Sequence, residues 1–499
     1  MAKTAQYQPF VMDKQSFFSS SVDSINKVRT RVSQKEYEFL SKNQLLIEQE
    51  FNQLFASLKK NPKHREAFWL YCYYCSLMLQ SYYQGYGKFD QAEKYHKLSE
   101  EIAYFYEQGV FPDAPTVQSW QNQFSKDLGE LASTPKHASK IRSWVSFTNI
   151  TRLQIVFSRL TLKQSLAIIQ GSSFLEKLDE ILGRHTDIDG MLSTLDKPAA
   201  VLNVLSVGVF AARFVINIGL ILKHTFVPSE AEKSLSLKER FAKELGKRHC
   251  DLLNDMVWAT VNGLTNYAKY FNISAPVANW VTAGFLLFDV SLLVYRRWLA
   301  EQEYLLKKEQ YLQEKAQHAD DDKRCQLLDE QLAELEIHWQ ASNASYWFNI
   351  SAAILLMTGF SAYLLLASPV AAPACFFACV LAVAMYLSAD MYGKYHEKSM
   401  LLQRAEQTGG DVSLAAREMQ EARSAFMVSM VKNTMMPLLI MATFAVSWPA
   451  AIVLTVLFIG YECGKGYFNQ ANKPALPAPI AEKNASVDEE ELDRGLCYC

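Results

Sequence analysis

The chain has 499 residues, half of them hydrophobic, and a formal net charge of -2. So even a balance excludes the strongly basic surface that non-specific nucleic-acid binding requires, and no nucleic acid is expected as a partner. The nine cysteines lack the spacing of an extracellular disulfide framework, and MAKTAQYQPFVMDKQ lacks the basic and apolar pattern of a secretory signal.

Residues 1–195 predict a soluble helical domain. Leu40, Ile47, Phe51, Leu54 and Leu58 fall on one helical face that ends at Asn61-Pro62. The run Ala67 to Gly87 is free of charge and long enough to span a bilayer, yet its six tyrosines and two glutamines suit a helix buried inside the domain better. Gly87 to Tyr95 resembles the second helix of a tetratricopeptide repeat; a single such unit reads as a helical hairpin. Between Glu130 and Glu176 every charge is positive: Lys136, Lys140, Arg142, Arg152, Arg159 and Lys163 alternate with Trp144, Phe147, Leu153, Val156, Phe157 and Leu160. That pattern predicts a helix lying in the headgroup region of an anionic leaflet, worth about 1 kcal/mol per basic residue. The plain alternative is a solvated basic face on a packed helix.

Residues 196–296 predict a first span (Pro198 to Leu222, flanked by Lys197 and Lys223 and interrupted by Arg213), a charged helix, and a hairpin. The hairpin's first arm, Met256 to Ala268, is weak; its second, from Pro276 to Tyr295, is clear and stops at Arg296-Arg297. Residues 297–338 predict a helical stalk that goes out and returns. Trp298, Leu305 and Leu312 recur at heptad spacing, and Leu328, Leu332, Leu335 and Trp339 resume beyond a break at His318 to Asp322. Residues 339–390 contain 51 consecutive positions without Asp, Glu, Lys or Arg, broken near the middle by Ser368 to Pro373, and so predict a second membrane hairpin. Residues 391–423 predict a second stalk, with Gly409-Gly410 at its tip and Asp411 or Ser413 as cap. Residues 424–470 predict a third hairpin turning at Ser447-Trp448-Pro449, and residues 471–499 a flexible acidic tail. The fold class is therefore all-α: a polytopic membrane helical bundle of about seven spans in three hairpins, with a soluble N-terminal domain and protruding stalks.

No chemistry of a known type emerges. Cys72-x-x-Cys75 has no second ligand pair, Cys375 and Cys379 sit in an apolar run, and His185 to Gly190 starts like a calcium loop but lacks the closing acid. No enzymatic activity, metal or cofactor is expected. Charged residues within or at the edge of spans are the stronger candidates: Arg213, Asp289, Asp390, Lys432 and Glu462. Asp289, Asp390 and Glu462 each close a hairpin with Arg296, Lys394 or Lys465 following, which predicts structural pairing; the alternative is a path for a small solute or ion, hence a transporter or channel.

The tail carries the most family-like feature. After Pro474 to Pro479 come Asp488, Glu489, Glu490 and Glu491, and the chain ends Cys497-Tyr498-Cys499. A flexible end with a block of glutamates resembles the translocation signal of type IVB (Dot/Icm-type) secretion effectors of Legionella-like intracellular bacteria. KHTF (Lys223 to Phe226) and HCDLLNDMVW (His249 to Trp258) are similar to strings in multispan, coiled-coil-containing proteins of those bacteria. The resemblance implies a protein secreted into a host cell and inserted in an organelle or vacuolar membrane. It would act as a scaffold there, with membrane lipids (anionic ones included), host proteins and the secretion apparatus as partners. Cys497 and Cys499 are candidate lipidation sites.

Overall fold

The computed structural model describes residues 4–60, 66–108, 138–172 and 177–457, apart from breaks at 21, 178, 182–185, 320–321, 448, 452 and 455–456. Among the described residues there is no strand. Five helices, α1 (Thr4–Ser19), α2 (Ile25–Ser33), α3 (Tyr37–Lys60), α4 (Glu66–Gly85) and α5 (Phe89–Gln108), form an N-terminal unit. The tyrosine-rich run is α4, the buried centre of that unit. Its hydroxyls find partners at the unit's rim: Tyr74 donates to Asp13 at 2.9 Å, and Tyr73 accepts from Arg29 Nε at 2.8 Å.

The rest is a bundle of long helices: α6 (Ala138–Gln170), α7 (Ile188–Asp196), α8 (Ala199–Phe226), α9 (Leu237–Asn266), α10 (Ala275–Gln317), α11 (Asp322–Leu366), α12 (Ala372–Thr408) and α13 (Val412–Val446). Local signals set their ends. Asp187, in the calcium-like run, accepts the Gly190 amide and caps α7; Ser236 and Glu239 form a capping box on α9; and Asp411 accepts the Leu414 amide to cap α13. Gly409 ends α12 at φ 72, the left-handed conformation that glycine adopts without strain.

Among the described residues five helical segments are long and apolar enough to cross a membrane: Ile188–Phe226, α10, Arg324–Leu366 within α11, α12 and α13. About seven were expected. The second arm of the third hairpin, past Ser447, falls mostly outside the described residues. The weak arm at 256–268 is the end of α9, a helix that is not among these five but runs level with its neighbours. Trp258 Nε1 donates to Asp289 at 2.6 Å, and Arg296 pairs with Asp251 at 2.9 Å, so α9 and α10 form an antiparallel hairpin. Asn262 and Asn266 likewise bind Ser206 on α8.

The register continues through the bundle. The Tyr304 and Trp339 rings stack at 5.0 Å and Lys315 meets Asp329 at 2.5 Å, joining α10 to α11. Ser345 donates to the Ala389 carbonyl at 3.1 Å, joining α11 to α12, and Lys398 pairs with Glu418 at 2.8 Å, joining α12 to α13. Gly359 and Gly393 permit the close approach of α11 and α12, since a Cβ at either would come within 3.0 Å of the facing helix.

Two expectations are corrected. The heptad residues Trp298, Leu305 and Leu312 are 46, 48 and 51% exposed and do not form the stalk seam; Tyr304, Tyr311, Leu328 and Leu335 form it. The basic helix α6 does not lie on a surface. It packs among α8, α12 and α13, with Phe157 in the core cluster of Phe210, Trp258, Phe376 and Val380, because its apolar residues face the other helices over several turns. The N-terminal unit and the stalk share one end of the bundle: Lys14 reaches Glu314 and Gln15 reaches Gln317, both at the stalk's outer end.

Candidate functional site

Two buried polar assemblies stand out. The first lies within the bundle, at the depth of the apolar helices. Arg213 on α8 pairs with Asp255 on α9 at 3.2 Å, and Asn217, one turn on, donates to the same carboxylate at 3.2 Å. Asp255 is fully buried, so the guanidinium and the amide replace the water that its charge has lost. Across the bundle, Gln154 of α6 donates to the Asn433 carbonyl at 3.0 Å, and the Asn433 side chain donates to Ser388 and Ser429 at 3.3 and 3.2 Å. These neutral groups tie α6, α12 and α13 together.

Of the residues singled out in the sequence, Arg213 is therefore an interhelical partner. Asp289 is held by Trp258 and not by Arg296, which is drawn to Asp251 because seven residues put it two turns away on its own helix. Asp390 is exposed and Lys432 half-buried on the bundle's outside. Arg152 is buried, while Arg159 and Lys163 bind Asp196 at the end of α7, at 3.4 and 2.6 Å. Lys140 and Arg142 belong to the first turns of α6. Lys136, Glu462, the acidic block Asp488 to Glu491, Cys497 and Cys499 lie outside the described residues.

The second assembly joins the N-terminal unit to the stalk, and sequence reasoning missed it. Glu50 of α3, 0% exposed, receives Lys14 on one oxygen at 2.8 Å and Lys307 on the other at 2.7 Å, with the Tyr311 hydroxyl at 3.0 Å. Lys14 also bonds Glu314 at 2.8 Å, and Glu314 in turn holds Arg324 at 2.8 Å. Lys307 lies 4.8 Å from the Tyr311 ring centre and Arg324 4.8 Å from that of Phe18. A cavity among Lys14, Glu50, Glu314, Arg324 and Gln331 has about 10 Å³ of free space, roughly the room for one water. Burial opposes ionisation of Glu50, but Lys14 and Lys307 outweigh it and hold its carboxyl well below the usual range. Burial pulls Lys307 down, despite Glu50, with Lys14 beside it adding to the effect.

The signal was present in the spacing. Tyr304, Lys307, Tyr311 and Glu314 follow a three-four pattern with charges in a buried seam, and Glu50 interrupts the apolar face of Ile47, Phe51 and Leu54.

A companion contact fastens the same unit to the start of α9. Tyr86 donates to Glu244 at 3.0 Å and stacks on His224 at 4.4 Å, and Arg248 bonds both Glu244 and Tyr86. Lys243 lies over the Tyr37, Tyr82 and Tyr86 rings, and burial brings its pKa down to about 8. Burial, with Lys243 nearby, brings that of Lys247 down to about 7.

Fold and sites together define a helical bundle with helices long and apolar enough for a membrane, capped by a helical unit clamped at two points. No protein-family model, curated protein or solved structure matches the chain.

Proposed function

We propose that the protein is a membrane-inserted scaffold that holds its helical N-terminal domain rigidly on one face of the bilayer, and that it reaches its membrane as a secreted bacterial effector. The observation that carries the scaffold reading is the double clamp: the buried Glu50–Lys307 and Lys14–Glu314 ion pairs fix the N-terminal unit to the stalk, and the hydrogen bonds of Tyr86 with Glu244 and Arg248 fix it to α9, so the bundle presents it in one orientation. The acids buried among the apolar helices are engaged by Arg213, Asn217 and Trp258, which supports structural pairing over a titratable path. In this reading α6 and α9 cross the membrane with the five apolar segments, and the stretch after Ser447 returns the tail to the side of the N-terminal domain. Surfaces of that domain and the stalks then serve host proteins, and the bundle serves membrane lipids. The acidic tail supports delivery by a type IVB apparatus only through its resemblance.

Two measurements test the reading. A translocation reporter fused to the chain should enter host cells in a secretion-dependent way, and deletion of everything after Lys483 should abolish entry while leaving membrane insertion intact. Purified protein in liposomes should pass no more ions or small solutes than empty liposomes. Unchanged entry of the truncated chain removes the effector reading, and solute flux replaces the scaffold with a transporter.

A further inference from the structure

We propose that Arg152 binds a small inorganic anion, of halide size, inside the helical bundle. Arg152, Arg159 and Lys163 are spaced by seven and four residues and so form a row along one face of α6. The outer two share a single counter-charge: Asp196 accepts from Lys163 at 2.6 Å and meets Arg159 at 3.4 Å. The row thus holds three positive charges against one negative. Arg152 lies seven residues from Arg159, roughly 10 Å along the helix axis, beyond the reach of Asp196. Its Nη2 donates to a neutral acceptor, Asn149 Oδ1, at 3.3 Å; its Nε has no acceptor, and no acidic side chain pairs with it, among the described residues.

Arg152 is only 8% exposed. The contrast with Arg213 is direct, since that arginine, buried at a similar depth, has Asp255. A guanidinium withdrawn from water without a counter-charge is strongly disfavoured, and arginine cannot escape by losing its proton. A bound anion supplies the missing charge. The enclosure selects its size: a phospholipid headgroup needs an open groove, whereas a halide ion needs only displacement of a side chain or water. Lys163, at the outer end of the row and a third exposed, gives the anion an electropositive route inward.

The test is the melting temperature of the full chain in detergent micelles, titrated with chloride, bromide or gluconate at constant ionic strength and cation. The wild type should show a saturable rise with chloride and bromide and none with gluconate. Arg152→Gln should be flat across the titration and melt no lower than the wild type in gluconate. Arg152→Lys, which keeps the charge but loses the planar donor fork, should need at least about tenfold more chloride for half-saturation. The proposal is overturned by a wild type indifferent to chloride, by an undiminished response in Arg152→Gln, or, if that variant does not fold, by an unchanged half-saturation in Arg152→Lys. A response to anionic lipid or phosphate with none to chloride overturns the halide assignment.

Discussion

Replacing Glu50 by glutamine probes the clamp with minimal change in shape. The amide can still meet Tyr311 and Gln331, but Lys307 loses its carboxylate and Lys14 keeps only Glu314. Both lysines are buried beside it, so the substitution leaves three cations facing one acid in a closed site. Breaking a buried pair in this way costs about 3–5 kcal/mol. The double variant Glu50→Gln/Lys307→Met removes the stranded charge and should recover more than about 1 kcal/mol of that loss. Pulse proteolysis across a urea series, following cleavage within the N-terminal unit, reads the change.

The clamp also has an acid limb. Because the folded carboxyl titrates below its unfolded value of about 4.3, its contribution is fully present above that value and is lost as pH falls through the depressed folded one. Glu50→Gln should lack this limb. A loss under about 1 kcal/mol, the value of an exposed pair, would refute the assignment of the clamp to Glu50.

Three further outcomes follow from the structure. Lys243 and Lys247 titrate near 8 and 7 when folded and near 10.4 in the unfolded chain, so the unfolded state binds more protons in that interval and stability should rise from about pH 7 towards pH 10; above it Tyr82 and Tyr86, whose pKa values burial raises, reverse the trend. The effect of Lys247 is damped because its side chain is 34% exposed, and a monotonic fall across pH 7–9 in thermal melts would contradict this account. Gly359→Val should cost about 1–3 kcal/mol in thermal melts in micelles, since a Cβ there lies 3.0 Å from the Cys375 carbonyl oxygen, whereas Gly208→Ala, with open space around it, should be neutral or stabilising. An impermeant maleimide should label Cys250 and Cys325 from the same side of sealed vesicles, because both lie towards the end of the bundle that holds the N-terminal unit; opposite accessibility would break that arrangement.

The hairpins were legible because helix length, proline-rich turns and glycine caps act locally. Ala372 to Ala389 is apolar on all sides and announces itself without any neighbour. What the sequence concealed depends on tertiary partners. Trp298, Leu305 and Leu312 offer a regular heptad, yet the seam chose the adjacent face, whose Lys307 and Glu314 look unsuited to burial until Glu50, Lys14 and Arg324 arrive from distant segments. The arm at 256–268 looked weak for a related reason: it is too short to span alone, and extending it upstream takes in Asp255 and Asp251, which Arg213 and Arg296 neutralise from other helices. Hydropathy counts a charge at its cost to an isolated helix, while a bundle can match it.

The same reasoning explains how α6 escaped notice as a member of the bundle. Its positive charges read as a surface signal because each was weighed against water or headgroups, but Arg159 and Lys163 meet Asp196, and Gln154 and Ser158 turn to the interior. Counting α6 among the bundle helices has a topological consequence. In the proposed topology α6, α8, α9 and α10 cross between the N-terminal unit and the first stalk, an even number, whereas without α6 the number would be odd. The contacts of Lys14 and Gln15 with the stalk tip bear on the crossings before residue 314 alone: their number must be even if the bundle spans a membrane, since a unit bonded to residues 314 and 317 cannot lie across it from them. In that proposed topology a basic, partly polar helix is what lets the domain and the stalks share one side.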